Sequence, residues 1–287
     1  MNSYYQKIME LTGAEALQAV VRKWDTLSAN LRQSQENRSL LLPDMLWVAP
    51  DGIGKTQMLR LLSEYLAAQG NLMDFYGDVK FFEFYMNYSA PEERFDDLRR
   101  LMREVHNAAG FRSEFRGLVY IDIGEWIGHE REKHFISFLE YLVDNSEDWL
   151  VVLNIPHSDP HTRALESMLS MYLRLEVVVM DMPKSEELLQ YVVRRLGEQG
   201  LVLEKEAEDV LRASISLLRE QKHFSGYNLM DNLYRDLVYN IYSRKLRVSK
   251  RLSAEMLREF SVESDYVKRM VCKIERTAKI GLLDEEV

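Results

Sequence analysis

The chain has 287 residues, 46% of them hydrophobic and 29% charged, with a net charge of −9 and a single cysteine. A chain of this length buries roughly three quarters of its unfolded surface, which suits one α/β domain with a smaller companion and excludes wholesale disorder. The acidic balance excludes a generally basic nucleic-acid binder, and the lone Cys272 excludes an internal disulfide and a thiolate-rich metal cage.

No segment approaches the roughly 20 apolar residues of a membrane span, and the start, Met1-Asn2-Ser3-Tyr4-Tyr5, lacks a basic-then-apolar leader, so a cytoplasmic protein with no membrane partner is expected. From Leu11 to Leu31 apolar residues recur at helical spacing (Leu17, Val20, Val21, Trp24, Leu27, Leu31) and predict an amphipathic helix. The run Met45-Leu46-Trp47-Val48 reads as a buried strand. It breaks into a glycine loop and opens a helix striped with Met58, Leu59, Leu61, Leu62, Tyr65 and Leu66, which Gly70-Asn71 closes. Residues 79–86 read as a second strand. Ser89, Pro91, Glu92 and Glu93 then start a helix that runs to about Ala109, with a capping hydroxyl, a first-turn proline and acids beside the dipole.

Residues 117–122 form the third predicted strand, 134–143 a helix, 149–154 the fourth strand, about 160–172 a helix and 175–180 the fifth strand. Continuous apolar strands alternating with helices are what a parallel sheet covered on both faces requires. Past Met182-Pro183 the strands stop, and helical patterns follow at 185–196, 205–219, 226–244 and from Ser253 onward. The expected organisation is an N-terminal helical segment (1–43), an α/β core (44–183), a helical lid (184–250) and a basic C-terminal helical tail (251–287). Between Arg244 and Lys279 basic residues outnumber acids. A solvated helix face is the plainer reading of that run, and contact with nucleic acid or an acidic partner surface is the other.

The stretch Ala49-Pro50-Asp51-Gly52-Ile53-Gly54-Lys55-Thr56 follows the phosphate-loop pattern of glycine, four residues, then Gly-Lys-Ser/Thr, except that Ala49 replaces the first glycine. Between a strand and a helix, the N–H groups of such a loop and the positive end of the helix cradle phosphates. The lysine reaches the terminal phosphates and the Thr hydroxyl reaches Mg2+. The candidate binding residues are Pro50, Asp51, Gly52, Ile53, Gly54, Lys55, Thr56 and Gln57. Asp122 ends an apolar strand on the side where parallel sheets bind ligands, and a carboxylate there holds Mg2+ through water; capping the next segment is its alternative role. Glu125 is placed to orient or deprotonate the attacking water, or else is a loop surface charge. Asn154 would hydrogen-bond the γ-phosphate or that water, or else turns the chain before Pro156. His157, Asp159 and His161 lie close together but span a Pro-containing turn, a poor frame for a metal.

These pieces, in this order and with a helical unit behind them, resemble the AAA+ ATPases, nearest the CbxX/SpoVK-type branch that contains Rubisco-activase-like remodellers. The resemblance covers residues about 10–245. It rests on Leu11-Thr-Gly-Ala-Glu-Ala-Leu17, the stretch Pro43 to Thr56, Gly117-Leu-Val-Tyr-Ile-Asp122, Val151-Val-Leu-Asn154, Met182-Pro-Lys-Ser-Glu-Glu-Leu188 and Phe224-Ser-Gly-Tyr-Asn-Leu-Met-Asp-Asn-Leu-Tyr234. It implies an α/β P-loop NTPase domain with a five-stranded parallel sheet and a C-terminal helical lid, with ATP and Mg2+ as cofactors. It also implies a ring or arc of copies and a protein partner that is remodelled or regulated. Carried over, Gly54, Lys55 and Thr56 are Walker A, Asp122 the Walker B metal carboxylate and Asn154 the first sensor.

The chain departs from the family at several positions. Ile123 stands where a catalytic Glu directly follows the Walker B Asp, leaving Glu125 as a displaced substitute, and Asn228 stands where the lid arginine is expected. Arg174 is the nearest candidate for the arginine finger supplied to a neighbour, with Arg163 next; a structural salt bridge is the plainer role of either. Threading members carry an aromatic–x–Gly pore loop, where this chain has Tyr88-Ser89-Ala90 without the glycine, and Tyr88 packing on the sheet is the other reading. A general base contributes on the order of 10²–10⁴-fold and an arginine finger roughly 10³–10⁵, so weakening both implies slow turnover at most. The resemblance therefore leaves two further readings open: a nucleotide-gated switch that does not hydrolyse, and a nucleic-acid-associated loader that uses the basic tail.

Overall fold

The computed structural model describes residues 3–30, 42–69, 81–108, 117–158, 160, 162–221, 224–243 and 250–259. The chain divides into two compact units, one of Met1–Pro50 with Lys55–Asp181, the other of Asp51–Gly54 with Met182–Val287. Gly70-Asn71, residues 79–80, Ala109, Asp159, His161, Cys272 and most of the basic run lie outside the described residues.

The first unit holds α1 (Ser3–Met9), α2 (Glu15–Asn30), β1 (Asp44–Val48), α3 (Lys55–Ala68), β2 (Phe81–Tyr85), α4 (Pro91–Ala108), β3 (Gly117–Asp122), α5 (Lys133–Asp144), β4 (Trp149–Ile155), α6 (Arg163–Tyr172) and β5 (Leu175–Val179). The five strands form one parallel sheet in the order β2-β3-β4-β1-β5. The central strands β1 and β4 are buried along their whole length, as their uninterrupted apolar runs dictate. β5 is an edge strand, with Val177 and Val179 about half exposed. On one face Leu46, Val119, Ile121, Val151 and Leu153 pack beneath Phe95, Phe135, Phe138, Leu165 and Leu169 of α4, α5 and α6. α1 packs on α3, and α2 lies beside β5, where Lys23 pairs with Glu176. The start of α2 is tied back by Gln18, whose side-chain amide donates to the carbonyls of Ile8, Met9 and Leu11 at 2.8–3.3 Å. At the foot of the sheet the buried Asp44 carboxylate accepts the Val151 N–H at 2.9 Å.

β1 and β4 are neighbours whose onward connections run in opposite directions across the sheet, α3 toward β2 and α6 toward β5. Their carboxyl ends are therefore the topological switch point of the sheet, the place where open α/β sheets take ligands.

The second unit contains α7 (Ser185–Glu198), α8 (Lys205–Arg219), α9 (Tyr227–Ser243) and α10 (Ala254–Glu259). Leu188, Leu196, Leu211, Ile215, Leu233 and Leu237 are among the residues that close its core. Glu186 and Glu187 sit in the first turn of α7, complementing its dipole, and Glu187 accepts the Lys184 N–H at 2.6 Å. Arg212 bridges Glu186 of α7 and Glu208 of α8. Contrary to expectation, strands do not stop at Pro183. Val202–Leu203 (β6) and Arg251–Leu252 (β7) form a two-stranded parallel ladder, each strand too short to show a pattern in sequence.

Candidate nucleotide site at the end of the sheet

β1 does not stop at Val48: the Ala49 N–H donates to Ile155 O at 2.8 Å and extends the ladder by one residue. A ladder position needs no left-handed backbone, which is why alanine serves where the loop pattern has glycine. The turn then requires it. Gly52 and Gly54 have φ of +85° and +89°, a region that L side chains rarely adopt. The turn Asp51–Gly54 groups with the second unit, where the Gly52 carbonyl accepts the Tyr227 N–H at 2.7 Å. A Cβ on Gly52 would stand 2.2 Å from Ser225 O, and one on Gly226 (φ +55°) 2.3 Å from Gly52 O. Lys55 opens α3, a helix of 14 residues with no acid in its first turn, so its first N–H groups and positive dipole end lie directly after the loop. Thr56 and Gln57 are exposed there.

The Lys55 ammonium donates to the Ala49 carbonyl at 3.2 Å and lies 4.0 Å from Asp122 Oδ2. Asp122 is brought opposite by the β3–β4 register, which pairs it with Asn154. The Asn154 amide donates to Asp122 Oδ2 at 2.8 Å, and the Tyr120 hydroxyl donates to the same oxygen at 3.2 Å. The Gly124 N–H donates to Oδ1 at 3.0 Å. Glycine permits that approach, since a Cβ on Gly124 would sit 3.0 Å from the Pro156 ring and 3.2 Å from Oδ1. Asn154 is 1% exposed, and its Oδ1 has no hydrogen-bond partner among the described residues.

These residues fit a hard divalent cation. A carboxylate, a threonine hydroxyl and a buried amide oxygen are oxygen donors of the kind Mg2+ takes. Among the described residues no group of three or more His, Cys, Asp or Glu is placed to hold a metal by itself. A cation here would depend on phosphate oxygens and its own waters, the usual habit of Mg2+ in phosphate sites. His157 is exposed, and its two sequence companions lie outside the described residues.

Two of the predicted catalytic side chains, Glu125 and Arg174, are not hydrogen-bonded to this cluster. Glu125 lies on the short 3-10 turn Gly124–Trp126, exposed, and its carboxylate accepts the backbone N–H of Tyr88 at 2.9 Å. Ile123 is fully buried in the sheet core and its N–H bonds to Asn154 O, so the position directly after Asp122 points away from it. Tyr88 is clamped. Its hydroxyl donates to Glu132 at 2.7 Å, and its ring stacks on His129 at 3.8 Å and meets Trp126 edge-on at 5.3 Å. The hydrogen bond to Glu132 raises the phenol's pKa and lowers that of the carboxyl. Arg174 is exposed just before β5, at the amino end of the sheet where Asp44 pairs with Leu175, and lines a hollow with Leu42, Pro43 and Tyr172. The fold does not bring it to Lys55 or Asp122 of its own chain. Arg163, the first residue of α6, is exposed.

Sequence reasoning passed over Tyr120. Its signal was the alternation of a strand, since residues two apart share a face and Tyr120 therefore lies beside Asp122.

No family model and no curated protein matches the chain. Solved structures do. The RuvB Holliday junction branch migration motor of Thermotoga maritima is 12% identical, with 85% of this chain and 67% of that one covered and a TM-score of 0.51. PCH-2 of C. elegans is 15% identical, with 94% and 72% covered and a TM-score of 0.53. The ORC1 protein of Aeropyrum pernix, solved in complex with DNA, is 17% identical, with 85% and 64% covered and a TM-score of 0.50. Identities this low speak for the fold alone. The chain has the α/β fold of the AAA+ P-loop ATPases, a five-stranded parallel sheet in the order β2-β3-β4-β1-β5 followed by a C-terminal helical lid.

Proposed function

We propose that this chain binds Mg·ATP on the loop 50–57 and uses the bound nucleotide to remodel or regulate a protein partner, working as a ring or arc of copies in the cytoplasm. The observation that carries the reading is the meeting of Lys55, Asp122 and Asn154 at adjoining strand ends, directly after a loop with two positive-φ glycines. Thr56 and Asp122 would hold the Mg2+, and Lys55 and the loop N–H groups the phosphates. Asn154 would contact the γ-phosphate or the water beside it. The CbxX/SpoVK-type branch is the nearest family likeness in the sequence, and Arg174 is the side chain it offers to a neighbour's site.

Hydrolysis in this reading is slow. Glu125 must leave the Tyr88 N–H before it can serve as a base, and Ile123 contributes nothing polar. Those two observations also support a second reading, in which the nucleotide acts as a switch without being cleaved and selects one of two conformations.

Titration of the folded protein with fluorescent ATP and Mg2+ tests the first reading. Saturable binding is expected, lost in Lys55→Ala, and absence of binding by the wild type refutes it. Phosphate release that rises more than linearly with protein concentration supports a residue supplied by a neighbour. Tight binding with no release over hours selects the switch.

A further inference from the structure

The Asp122 carboxylate faces a lysine across 4.0 Å, yet the two have not closed to hydrogen-bond distance. Lys55 is held instead on the Ala49 carbonyl at 3.2 Å. The oxygen nearest the lysine, Oδ2, accepts two neutral donors, the Asn154 amide at 2.8 Å and the Tyr120 hydroxyl at 3.2 Å. A carboxylate oxygen offers two lone-pair sites, so both on Oδ2 are taken.

The second donor is firmly set. Tyr120 is 2% exposed, and its ring meets the edge of Trp47 at 6.2 Å and 64°, although β4 separates their strands. Trp47 is fully buried and pairs in register with Asn154, which pairs in turn with Asp122. The indole therefore leans across β4 from the row of Asn154 and Asp122 toward Tyr120, whose own register partner is Val152. The orientation of the Asn154 amide is set by charge, because turning its oxygen toward Asp122 would oppose a carbonyl to a carboxylate.

We propose that Tyr120, braced by Trp47, is a positioning residue of the nucleotide site: together with Asn154 it saturates Oδ2 of Asp122 and so keeps the Lys55 ammonium from collapsing onto the carboxylate. A closed Lys55–Asp122 ion pair would set the carboxylate against phosphate for the lysine, and the lysine against Mg2+ for the carboxylate. Two neutral hydrogen bonds prevent both losses without adding charge. This inference rests on the reading of the site as a nucleotide site.

The test is the affinity for ATP in EDTA, measured for wild type, Tyr120→Phe and the double variant Tyr120→Phe/Asp122→Asn, with melting temperatures as a check of folding. Removing the hydroxyl frees a lone pair for Lys55, so Tyr120→Phe is expected to bind metal-free ATP about tenfold more weakly, the scale of one hydrogen bond to a charged group. Neutralising Asp122 removes the competitor, so the double variant is expected to recover wild-type affinity for ATP in EDTA while losing the gain that Mg2+ gives. Affinity of Tyr120→Phe within twofold of wild type overturns the proposal, as does a loss that Asp122→Asn fails to restore, which would mean a general packing defect. Should Tyr120→Phe not fold, Asn154→Ala removes the other donor and must show the same loss and the same rescue with ADP in EDTA, a ligand without the γ-phosphate that Asn154 would contact. Wild-type protein that binds no ATP at all refutes the site itself, an outcome distinct from either.

Discussion

Replacing Gly52 with alanine tests the turn at its tightest point. The added Cβ would stand 2.2 Å from Ser225 O and 2.5 Å from its carbonyl carbon, where ordinary contact is about 3.5 Å, so the two segments must part by roughly 1 Å. That separation breaks the 2.7 Å bond from the Tyr227 N–H to Gly52 O, a loss of about 0.5–1.5 kcal/mol. Holding an alanine at φ +85° adds about 1–2 kcal/mol. The sum, about 1.5–3.5 kcal/mol, lowers the melting temperature of a domain of this size by roughly 3–14 °C. Calorimetry of the two proteins reads this directly, and a transition for Gly52→Ala within 1 °C of wild type would refute the reasoning. Gly226→Ala strikes the same contact from the other side, with its Cβ 2.3 Å from Gly52 O. A contact can be broken only once, so the double variant is expected to cost clearly less than the sum of the singles.

Other perturbations separate the roles of the charged side chains. Lys55→Ala is expected to weaken Mg·ATP binding by at least about tenfold, since it removes a charge-assisted partner of the phosphates; isothermal titration checks this. Glu125→Gln is expected to leave turnover within about twofold of wild type, because the amide oxygen still accepts the Tyr88 N–H and a general base would contribute on the order of 10²-fold or more. A hundredfold fall in phosphate release would restore Glu125 to catalysis. Tyr88→Phe removes the hydrogen bond that holds the Glu132 pKa below its ordinary value of 4.5. A carboxyl with a depressed folded pKa stabilises above its unfolded pKa, and the gain is lost as pH falls through the folded one. The variant should therefore melt below wild type at pH 7 and approach it as pH falls below 4.5; a gap that stays constant with pH would remove the ion from the explanation.

The sheet was legible because its strands are continuous apolar runs bounded by loop chemistry, and the side chains at the ends of β1, β3 and β4 followed from where those runs stop. Lys55, Asp122 and Asn154 could thus be placed together from sequence. What escaped was set by contacts between segments remote in sequence. Glu125 looked like a displaced base because nothing local reveals that its partner is the main-chain N–H of Tyr88, 37 residues earlier. The pairing of Gly52 with Gly226 depends on backbone approaching backbone, which leaves no pattern beyond the glycines themselves. Tyr120 was readable in principle from strand alternation, but a tyrosine within an apolar run looks like core until its hydroxyl is given a partner. The ladder β6–β7 joins two residues to two, below the length at which periodicity has meaning.

The carboxylate of Asp44 sits at the opposite end of the sheet from all of this chemistry, yet the chemistry depends on it. By accepting the Val151 N–H it takes the place of a main-chain carbonyl where the β1–β4 pairing begins, and so counts off the alignment of Met45 with Val152 and Trp47 with Asn154. Side chains alternate faces along a strand, so an error of a single residue there would displace β1, and Lys55 beyond it, relative to Asn154 and Asp122, which the β3–β4 register keeps paired with each other. A buried acid at the foot of the first strand thus acts as an indexing pin, and its loss would scramble a distant constellation without touching any member of it.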